Sequence, residues 1–502
     1  MKKSIRILTA ILALTLFLGA FVSCAQTGNS DESTSSNAST QAAGQTDVTT
    51  VEDTLYELDD LDESYDLNEV ITFYIWSDHA MREYFAEDSG DIIDNAIFTR
   101  NVRVSERLGI TLEFVQEKGG LDFFKDWNMK AENDWKSDCQ YDVYSGYSRA
   151  VPNLAIKGMT ANLLEYEDFN VEKPWWPEAL TTECTVYDKL LFCSGDISTN
   201  LLNQMFIMLF NKKLAEEYHT PDLYEIVNNG EWTIDKMTEL AENVYSDLNG
   251  NSIPDAADQF GISVRQHLVF DSFFISSNLH SIEKDANGTL ILSDELASEK
   301  THNLVGKVIS IFHESPYAAY PTVVENWSNA GFADGRALFI IDLSNVTSSD
   351  EFADTSVTYG VLPTPKYDVE QKDHITCLEF GFTMYCASIA VSDQELDMIG
   401  AMLECMASEA YRNVTPAVFE TAMKLKYSSD SNDAVMYDII RDGISFDTGR
   451  IFCEPLDKLT FSAFREACNL ATPNWTSIMK AKNKIIQKRL EALITSLDSL
   501  PE

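Results

Sequence analysis

Basic side chains are scarce in this sequence. The 502-residue chain has 37 lysines and arginines against 80 aspartates and glutamates, so its formal net charge is −43 at pH 7. A field of this sign repels phosphate backbones, which argues against a nucleic-acid partner. Hydrophobic residues still make up 45% of the chain, enough for well-buried globular cores. The acidic excess is therefore read as a well-solvated surface on a folded protein.

Motifs of several common enzyme classes are also absent. The chain has no HExxH, no GxSxG and no GxxxxGK[ST], and its seven histidines form no pair with metal-ligand spacing. Acidic pairs are too frequent at this composition to single out a catalytic pair. The segment EKPWWPE carries carboxylates beside aromatics, as a glycosidase can. We expect a protein without enzymatic activity and keep a surface carbohydrate-active hydrolase as an alternative.

Disulfide signatures are missing. No CxxC pair or compact cysteine framework is present, although export would permit disulfides. Several cysteines stand in apolar runs and are typical of small buried hydrophobes. The sequence assigns no pairing, and leaves disulfides open, among Cys139, Cys184, Cys193, Cys377, Cys386, Cys405, Cys453 and Cys468.

Long apolar runs are missing except at the N-terminus. There, MKKSIR precedes ILTAILALTLFLGAFV, which is shorter than the roughly 20 residues of a membrane-spanning helix. A basic head and a short apolar run are the layout of a secretory signal, here residues 1–23. FVSC at 21–24 resembles the lipobox of bacterial lipoproteins, with Phe21 in the place of the usual leucine. The resemblance implies that Cys24 becomes acylated.

Residues 24–65 are predicted to be a lipid-anchored linker. The stretch 26–50 is rich in Ser, Thr, Asn and Gln and contains no aromatic residue, so it cannot bury enough apolar surface to fold. A lipid at one end of such a tether would hold a globular body near the extracellular face of the cell membrane.

The body opens with a β-α-β pattern. A β-prone run at 69–78 precedes a helical pattern at 94–109, which ends in Gly109, and a second β-prone run at 110–116. Short crossovers of this kind produce parallel sheets. Further predicted elements are strands at 141–147, 189–196, 335–346 and 380–391, a helix at 232–248 capped by Thr233, an extended segment at 359–368, and helices through most of the last hundred residues.

Several segments carry a family resemblance. They are FYIWSD, FNKKLAEE, NNGEWTIDKMTELAENV, NAGFADGRALFIID and YGVLPTPKYD. In this order the chain resembles bacterial extracellular solute-binding proteins of ABC importers, the large family that includes maltose-binding protein, in its long Firmicutes lipoprotein branch. The resemblance implies an α/β, periplasmic-binding-protein-like fold. Two α/β lobes are joined by hinge segments and close over a ligand in the cleft between them.

The same resemblance gives a division into lobes. Residues 66–198 and 330–375 are assigned to the N-terminal lobe, and residues 199–329 and 376–502 to the C-terminal lobe. It also implies a partner, an ABC permease in the membrane, and we expect the protein to be a monomer.

Residues 247–258 have oxygen-bearing side chains at alternate positions, in the spacing of an EF-hand calcium loop. Position 6 is Ser252 where glycine is usual, and position 12 is aspartate where glutamate is usual. We predict a structural Ca²⁺ site of modest affinity; the alternative is an Asx-rich turn. The ligands at positions 1, 3, 5, 7, 9 and 12 would be Asp247, Asn249, Asn251, the Ile253 carbonyl, Asp255 and Asp258.

A sugar cleft needs aromatic plates for the C–H faces of the rings and polar side chains for the hydroxyls. Such residues stand where predicted strands end, and in the PWW cluster at 174–176. Each aromatic taken alone is more simply a core residue, and we expect about half of them to reach the cleft. The candidate ligand contacts are Trp76, Ser77, Asp78, Tyr144, Ser145, Tyr147, Trp175, Trp176, Asn326, Trp327 and Phe380.

These observations favour a binding protein that captures an oligosaccharide and delivers it to the permease. Two alternatives stay open. A hydrolase requires two facing carboxylates in the cleft, about 5–5.5 or 6.5–9.5 Å apart. A peptide or polyamine receptor on the same fold would have acidic walls without paired aromatic plates.

Overall fold

The computed structural model of the protein describes residues 57–62, 65, 67–320, 327–353, 355–418 and 431–500. The predicted signal peptide, Cys24 and nearly all of the predicted linker lie outside the described residues, as does Asn326. The predictions that concern them stay predictions. Within the described ranges, no helix combines the length and the apolar character that crossing a membrane requires.

The first sheet has four strands in the order β10-β3-β1-β2. The central strand β1 runs parallel to β2 and to β3, and β10 runs antiparallel to β3. The four strands are β1 (Glu69–Trp76), β2 (Ile110–Glu117), β3 (Val143–Tyr147) and β10 (Thr383–Ala387).

The predicted β-α-β unit is confirmed. Helix α1 (Ile92–Leu108) joins β1 to β2, and these strands pair in parallel over their full length. The carboxylate of Asp91 caps α1 by accepting from two backbone N–H groups of its first turn. Gly109 ends the helix with φ of 66°, the left-handed conformation that favours glycine at this position.

The second sheet has the order β5-β8-β4-β9. β5 runs parallel to β8, and β4 runs antiparallel to both β8 and β9. The strands are β4 (Phe206–Asn211), β5 (Phe260–Val264), β8 (Ala337–Leu343) and β9 (Tyr359–Leu362), with a separate hairpin of β6 (Ile282–Lys284) and β7 (Leu290–Leu292).

Sheet membership corrects the lobe division expected from the sequence. The segment 330–375, assigned to the first lobe, contains β8 and β9, which pair with β4 and β5 in the second sheet. The segment from 376 onward, assigned to the second lobe, contains β10, which pairs with β3 in the first sheet. The division was inferred from resemblance, whereas β8 lies inside the second sheet between β5 and β4, because pairing between strands far apart in sequence depends on how the whole core packs. The chain therefore passes between the sheets at 198–205 and again at 376–382, the two crossing segments.

Helices cover both sheets and fill most of the last hundred residues, as predicted. After α1 they are α2 (Phe124–Ser137), α3 (Val151–Ala155), α4 (Glu178–Cys184), α5 (Thr199–Asn203), α6 (Lys212–Glu217), α7 (Leu223–Asn228), α8 (Ile234–Glu242), α9 (Phe270–Ser276), α10 (Glu299–Ile309), α11 (Trp327–Ala333), α12 (Asp350–Ala353), α13 (Asp393–Glu409), α14 (Ser431–Asp442), α15 (Thr448–Ile451), α16 (Leu459–Asn469) and α17 (Trp475–Asp498).

Two local predictions differ from the structure. The segment 189–196 is not a strand, because Cys193 makes only an isolated bridge to Tyr385 in β10. The hydroxyl of Ser194 donates to the backbone carbonyl of Thr383, which a further backbone bond of the ladder would use. The helix expected at 232–248 ends at Glu242, because the chain then turns and Ser246 pairs with Gln259. Its start is confirmed, since the hydroxyl of Thr233 accepts from the N–H of Lys236 at 3.2 Å.

All eight described cysteines are free thiols, and only Cys139 among them is exposed. Burial raises the pKa of the other seven thiols, which keeps them protonated and unreactive. They act as small hydrophobic residues of the cores.

Candidate functional site

The carboxyl end of the first sheet meets the second crossing segment. β3 ends at Tyr147, and the N–H of the next residue, Ser148, donates to the carbonyl of Phe382 at 3.0 Å. The hydroxyl of Ser148 donates to the carbonyl of Phe380 at 2.7 Å. These two bonds fix 380–382 against the end of β3.

The carboxyl end of the second sheet meets the same crossings. β8 ends at Leu343, and the N–H of Ser344 donates to the carbonyl of Met205 at 2.8 Å. The two crossings are joined where the N–H of Glu379 donates to the carbonyl of Gln204 at 2.8 Å. Ligands of open α/β sheets bind outside the carboxyl ends of the strands, so a ligand site is expected here. We call residues 76–78, 147–149, 342–344 and 379–381 the strand-end face.

Trp76 and Tyr147 form an aromatic pair on the strand-end face. Their rings stack with centroids 5.5 Å apart, and Trp76 also contacts His79 at 4.8 Å. The indole N–H of Trp76 donates to the hydroxyl of Thr383 at 3.1 Å, which fixes the ring. Only 1% of Trp76 and 5% of Tyr147 is exposed, so the pair is packed before any ligand arrives.

Asp78 holds the loop after β2 against the end of β1. Its carboxylate accepts from the N–H groups of Gly119 and Gly120 at 2.8 and 3.0 Å. A Cβ at Gly119 would lie 2.7 Å from the Cβ of Trp76, and one at Gly120 would lie 2.8 Å from Asp78 Oδ1. The GG pair therefore allows this close approach. Asp78 is exposed and the neighbouring Ser77 is half-buried, which leaves both near solvent.

Phe380 is already enclosed by cations. The guanidinium of Arg149 lies 5.2 Å from its ring centroid and that of Arg450 lies 4.3 Å from it, while Phe461 packs at 5.1 Å. Arg149 is in turn ion-paired with Glu454. Only 4% of Phe380 is exposed, so its ring has no free face for a sugar.

Two carboxyl groups add hydrogen-bonding capacity that the sequence did not reveal. Glu379 is half-buried, and burial raises its pKa, opposed by Arg450 and by the N–H of Gly381. Asp342, one residue before the end of β8, is 5% exposed, and its pKa is also raised by burial, opposed by Arg265. Asp342 Oδ2 has no hydrogen-bond partner among the described residues, which makes it a ready acceptor.

Arg149, Glu379 and Asp342 were thus missed by reasoning from the sequence. Each lies within two residues of a strand end or in a crossing, and that proximity was the available signal. The sequence analysis considered aromatic residues near strand ends first, because it expected a sugar site.

Tyr144 and Ser145 do not reach the strand-end face. Both lie inside β3 and are fully buried. Tyr144 packs edge-on against Tyr74 at 6.4 Å, and the hydroxyl of Ser145 donates to that of Tyr84 at 3.0 Å. Their position corrects the prediction, because residues within a central strand pack under the helices that cover the sheet.

Trp327 lies at the opposite end of the second sheet. It opens α11 and packs against Phe260, the first residue of β5, with centroids 5.2 Å apart. Its indole N–H donates to the carbonyl of Ala256 at 2.9 Å. Trp327 therefore packs at the amino end of the sheet, away from the strand-end face, and its ligand role stays a prediction.

Trp175 and Trp176 are also away from the strand-end face. Trp175 is fully buried and packs against Tyr411 with centroids 6.0 Å apart. Trp176 donates its indole N–H to Glu404 at 2.9 Å and borders a cavity of about 1330 Å³.

That cavity is lined by charged groups as well as apolar ones. Asp196 and Arg441 form an ion pair at 2.8 Å on its wall. Asp447, whose Oδ2 lies 3.7 Å from Nδ1 of His280, raises the pKa of that histidine to about 9, and burial raises the pKa of Glu183 to about 7. None of the strand-end residues borders this cavity, whereas Leu201 and Leu202 of the first crossing do.

The predicted calcium loop is curled by its own hydrogen bonds. Asp247 accepts from the N–H groups of Gly250 and Ser252, each at 2.7 Å. The carboxylate of Asp258 accepts from the N–H of Asp255 at 3.0 Å. Ser252 has φ of 60°, so it adopts the left-handed conformation that glycine takes at this position of calcium loops.

The carboxylates of this loop do not converge on a point as they lie. Across the described part of the chain, no group of three or more His, Cys, Asp or Glu side chains is placed to hold a metal ion. The half-buried Asp255 accepts from the side-chain amides of Asn249 and Asn251 instead. Calcium stays a prediction, and an Asx-rich turn describes the present geometry.

No protein-family model matches this chain, and no curated protein matches it. Solved structures do match its fold. A cyclic α-maltosyl-1,6-maltose binding protein from Arthrobacter globiformis is 14% identical with a TM-score of 0.56, covering 85% of this chain and 98% of its own. The ABC substrate-binding protein of Listeria monocytogenes in complex with cycloalternan is 13% identical with a TM-score of 0.51, covering 84% and 99%.

A third match is the extracellular solute-binding protein of Staphylococcus aureus in complex with maltose. It is 11% identical with a TM-score of 0.52, covering 86% of this chain and 96% of its own. Identities this low carry the fold and not the ligand. The expected fold is confirmed: this chain shares the two-lobed α/β, periplasmic-binding-protein-like fold of solute-binding proteins from ABC transporters.

Proposed function

We propose that this protein is the extracellular solute-binding component of an ABC importer, that it captures an oligosaccharide by lobe closure, and that it does no chemistry. The observation that carries the proposal is the stacked Trp76–Tyr147 pair at the carboxyl ends of β1 and β3. The shared fold supports the transport role, and the sugars bound by the similar structures support a carbohydrate. An ABC permease is the membrane partner that this role requires.

The strand-end face offers both chemistries that a sugar needs. Only 1% of Trp76 and 5% of Tyr147 is exposed in this conformation, so the pair would supply apolar contact for ring C–H groups once lobe opening uncovers its edge. Asp78, Glu379 and Asp342 offer acceptors for hydroxyls. The two crossings lie between the sheets, so rotation about them would bring the second sheet's carboxyl end towards that pair. Closure would exclude water and strengthen each polar contact.

The proposal includes attachment to the outer face of the cell membrane through acylated Cys24. Its support is the N-terminal sequence alone: a basic head, a short apolar run and FVSC. Expression of the full chain with a clickable palmitate analogue should label the wild type, and Cys24→Ser should abolish the label. Labelling that survives the substitution would contradict the anchor.

The binding role is tested by calorimetric titration with maltose, malto-oligosaccharides and cycloalternan. We expect Trp76→Phe to weaken sugar affinity about 10-fold or more, because the substitution removes the hydrogen bond to Thr383 that fixes the indole against Tyr147. The matched control is Trp327→Phe, which also removes one indole hydrogen bond from a nearly buried ring but lies at the far end of the second sheet. That control should leave affinity within about twofold of wild type.

The same titrations decide between the alternatives. Short peptides and spermidine are included, because a peptide or polyamine receptor would bind them and not sugars. Chromatography of each sugar after long incubation tests for hydrolysis. Binding of no sugar with binding of a peptide, or shortening of an oligosaccharide, would overturn the proposed function.

A further inference from the structure

A buried carboxylate lies between the strand-end face and the first crossing segment. Glu83 follows β1 and is fully buried. Its Oε2 accepts from the backbone N–H of Asn200 at 2.8 Å, and its Oε1 accepts from the hydroxyl of Tyr385 at 3.2 Å. Asn200 belongs to α5, which is part of the first crossing, and Tyr385 belongs to β10.

Thr383 links this carboxylate to Trp76. The hydroxyl of Thr383 accepts from the indole N–H of Trp76 at 3.1 Å, and Tyr385, two residues further along β10, donates its hydroxyl to Glu83. The backbone N–H of Thr383 donates to the hydroxyl of Ser198 at 3.3 Å, at the start of the crossing. Thr383 and Ser198 are fully buried. Strand β10 thus connects the Trp76 indole, through Thr383, with the Glu83 carboxyl group, through Tyr385, and both ends of this path reach the first crossing, at Ser198 and at Asn200.

The residues of this path are shielded from solvent, so loss of any one of their hydrogen bonds is costly. Burial raises the pKa of Glu83, and this is opposed by the backbone N–H of Asn200, by the nearby Thr383 and Ser198 side chains and by the charge of Arg100. A buried acceptor that loses a donor is left without water to replace it. Movement of the crossing relative to Glu83 therefore has to be matched by movement of β10, which holds Glu83 through Tyr385 and Trp76 through Thr383.

We propose that Glu83 is a positioning residue that couples the seating of the Trp76 indole to the position of the first crossing segment. This deepens the proposed function, because it rests on Trp76 as the sugar platform. A purely structural carboxylate would tie elements of one sheet together. Glu83 instead receives bonds from a crossing that the two lobes share and from the strand that carries the anchor of Trp76.

The test compares Glu83→Gln with Glu404→Gln. Glutamine preserves volume but presents an NH₂ group that cannot accept from a hydroxyl. Glu404 is a close match: it is 1% exposed and its Oε2 accepts from the indole N–H of Trp176 at 2.9 Å and from the N–H of Asn170 at 3.3 Å. Neither of these donors belongs to a crossing or to the strand-end face.

We expect Glu83→Gln to weaken binding of the best sugar about 10-fold, in line with loss of a charged hydrogen bond, and Glu404→Gln to leave it within about twofold. Two measurements need no ligand. Hydrogen exchange at 198–203 should accelerate about 10-fold in Glu83→Gln only, and the indole N–H resonance of Trp76, assigned with Trp76→Phe, should shift in Glu83→Gln only.

Unchanged exchange at 198–203 and an unmoved Trp76 resonance in a folded Glu83→Gln variant would overturn the coupling. A lowered Tm with normal affinity and normal exchange would also overturn it, since that pattern describes a structural role. If the wild type binds no sugar, the proposed function fails, while exchange and the Trp76 resonance still decide whether Glu83 couples the two segments.

Discussion

At the scale of single residues, Glu404 shows what burial does to a carboxyl group. It lies in α13 and is 1% exposed, and its Oε1 has no hydrogen-bond partner among the described residues. Burial raises its pKa to about 7 from the ordinary 4.5. The folded state therefore keeps a proton that the unfolded chain releases, so stability is complete below about pH 4.5 and falls as pH rises towards 7.

Glu404→Gln is expected to flatten this dependence. A shift of this size corresponds to about 3 kcal/mol. Between pH 5 and pH 8 the free energy of unfolding should therefore fall by most of this amount in the wild type, and this fall should be missing in Glu404→Gln. Urea titrations at both pH values measure the difference. The exposed Glu491→Gln serves as control and should keep the wild-type slope. An unchanged slope in Glu404→Gln would show that Glu404 is not the titrating group.

Gly119 is a second residue whose surroundings dictate its identity. A Cβ there would lie 2.7 Å from Trp76 Cβ and 2.8 Å from Trp127 Cδ1, both in fully packed side chains. Gly119→Ala should lower the free energy of unfolding by about 1–3 kcal/mol and displace Trp76, which tryptophan fluorescence detects. Gly306→Ala in α10, where a Cβ meets nothing within 4 Å, should instead stabilise by about 1 kcal/mol. Equal stability of the two variants would contradict the close approach.

Residue identity alone could not separate Tyr147 from Tyr144. Both aromatics stand in one short strand, and both were reasonable sugar contacts. The carboxyl end of β3 places Tyr147 beside Trp76, while Tyr144 is enclosed by Tyr74 and Tyr141. The difference depends on where the strand ends and on what covers it, and neither is a property of tyrosine.

At the scale of elements, hydrogen bonds near in sequence were the most predictable. The caps of α1 and α8 are found where the sequence placed Gly109 and Thr233, because both depend on neighbours within four residues. The segment 189–196 was not predictable in this way. Its composition is typical of a strand, but a strand also needs a partner that bonds it over several residues. β10 bonds this segment only at Cys193, without a continuous ladder.

The loop 247–258 gives the prediction at this scale. Millimolar Ca²⁺ is expected to raise Tm by a few degrees, because an ion bound only to the folded loop stabilises it by mass action. Asp255→Asn should abolish the response. Asp285→Asn is the control, since Asp285 holds a comparable Asx turn through Asn287 and Thr289. If calcium and chelator leave Tm unchanged, the loop is an Asx-rich turn.

At the scale of the whole molecule, the crossings decide how the protein can move. Glu379 and Gln204 join the two crossings, and Arg450, from the C-terminal helices, holds Asp271 of α9 while donating to the carbonyl of Leu378. The crossings are thus braced from one side by buried ion pairs. Rotation of one sheet against the other would be concentrated in these few residues.

A closure that traps ligand should make the protein more compact. Saturating the protein with the sugar that binds best in calorimetry is expected to reduce its radius of gyration in small-angle scattering, because the carboxyl ends of the two sheets approach each other. Trp76→Phe at the same sugar concentration should show a smaller change, in proportion to its lower occupancy. Full occupancy without any change in radius would exclude closure as the capture mechanism.

The sequence by itself determined the acidic surface, the β-α-β opening, the helix caps and the α/β class, because these follow from composition and from contacts close along the chain. Tertiary structure alone decided that β8 and β9 join β4 and β5, that β10 returns to β3, and that Trp76 and Tyr147 meet while Trp327 lies at the far end of its sheet. Strand partners far apart in sequence are chosen by the global packing of both cores, and no local pattern encodes that choice.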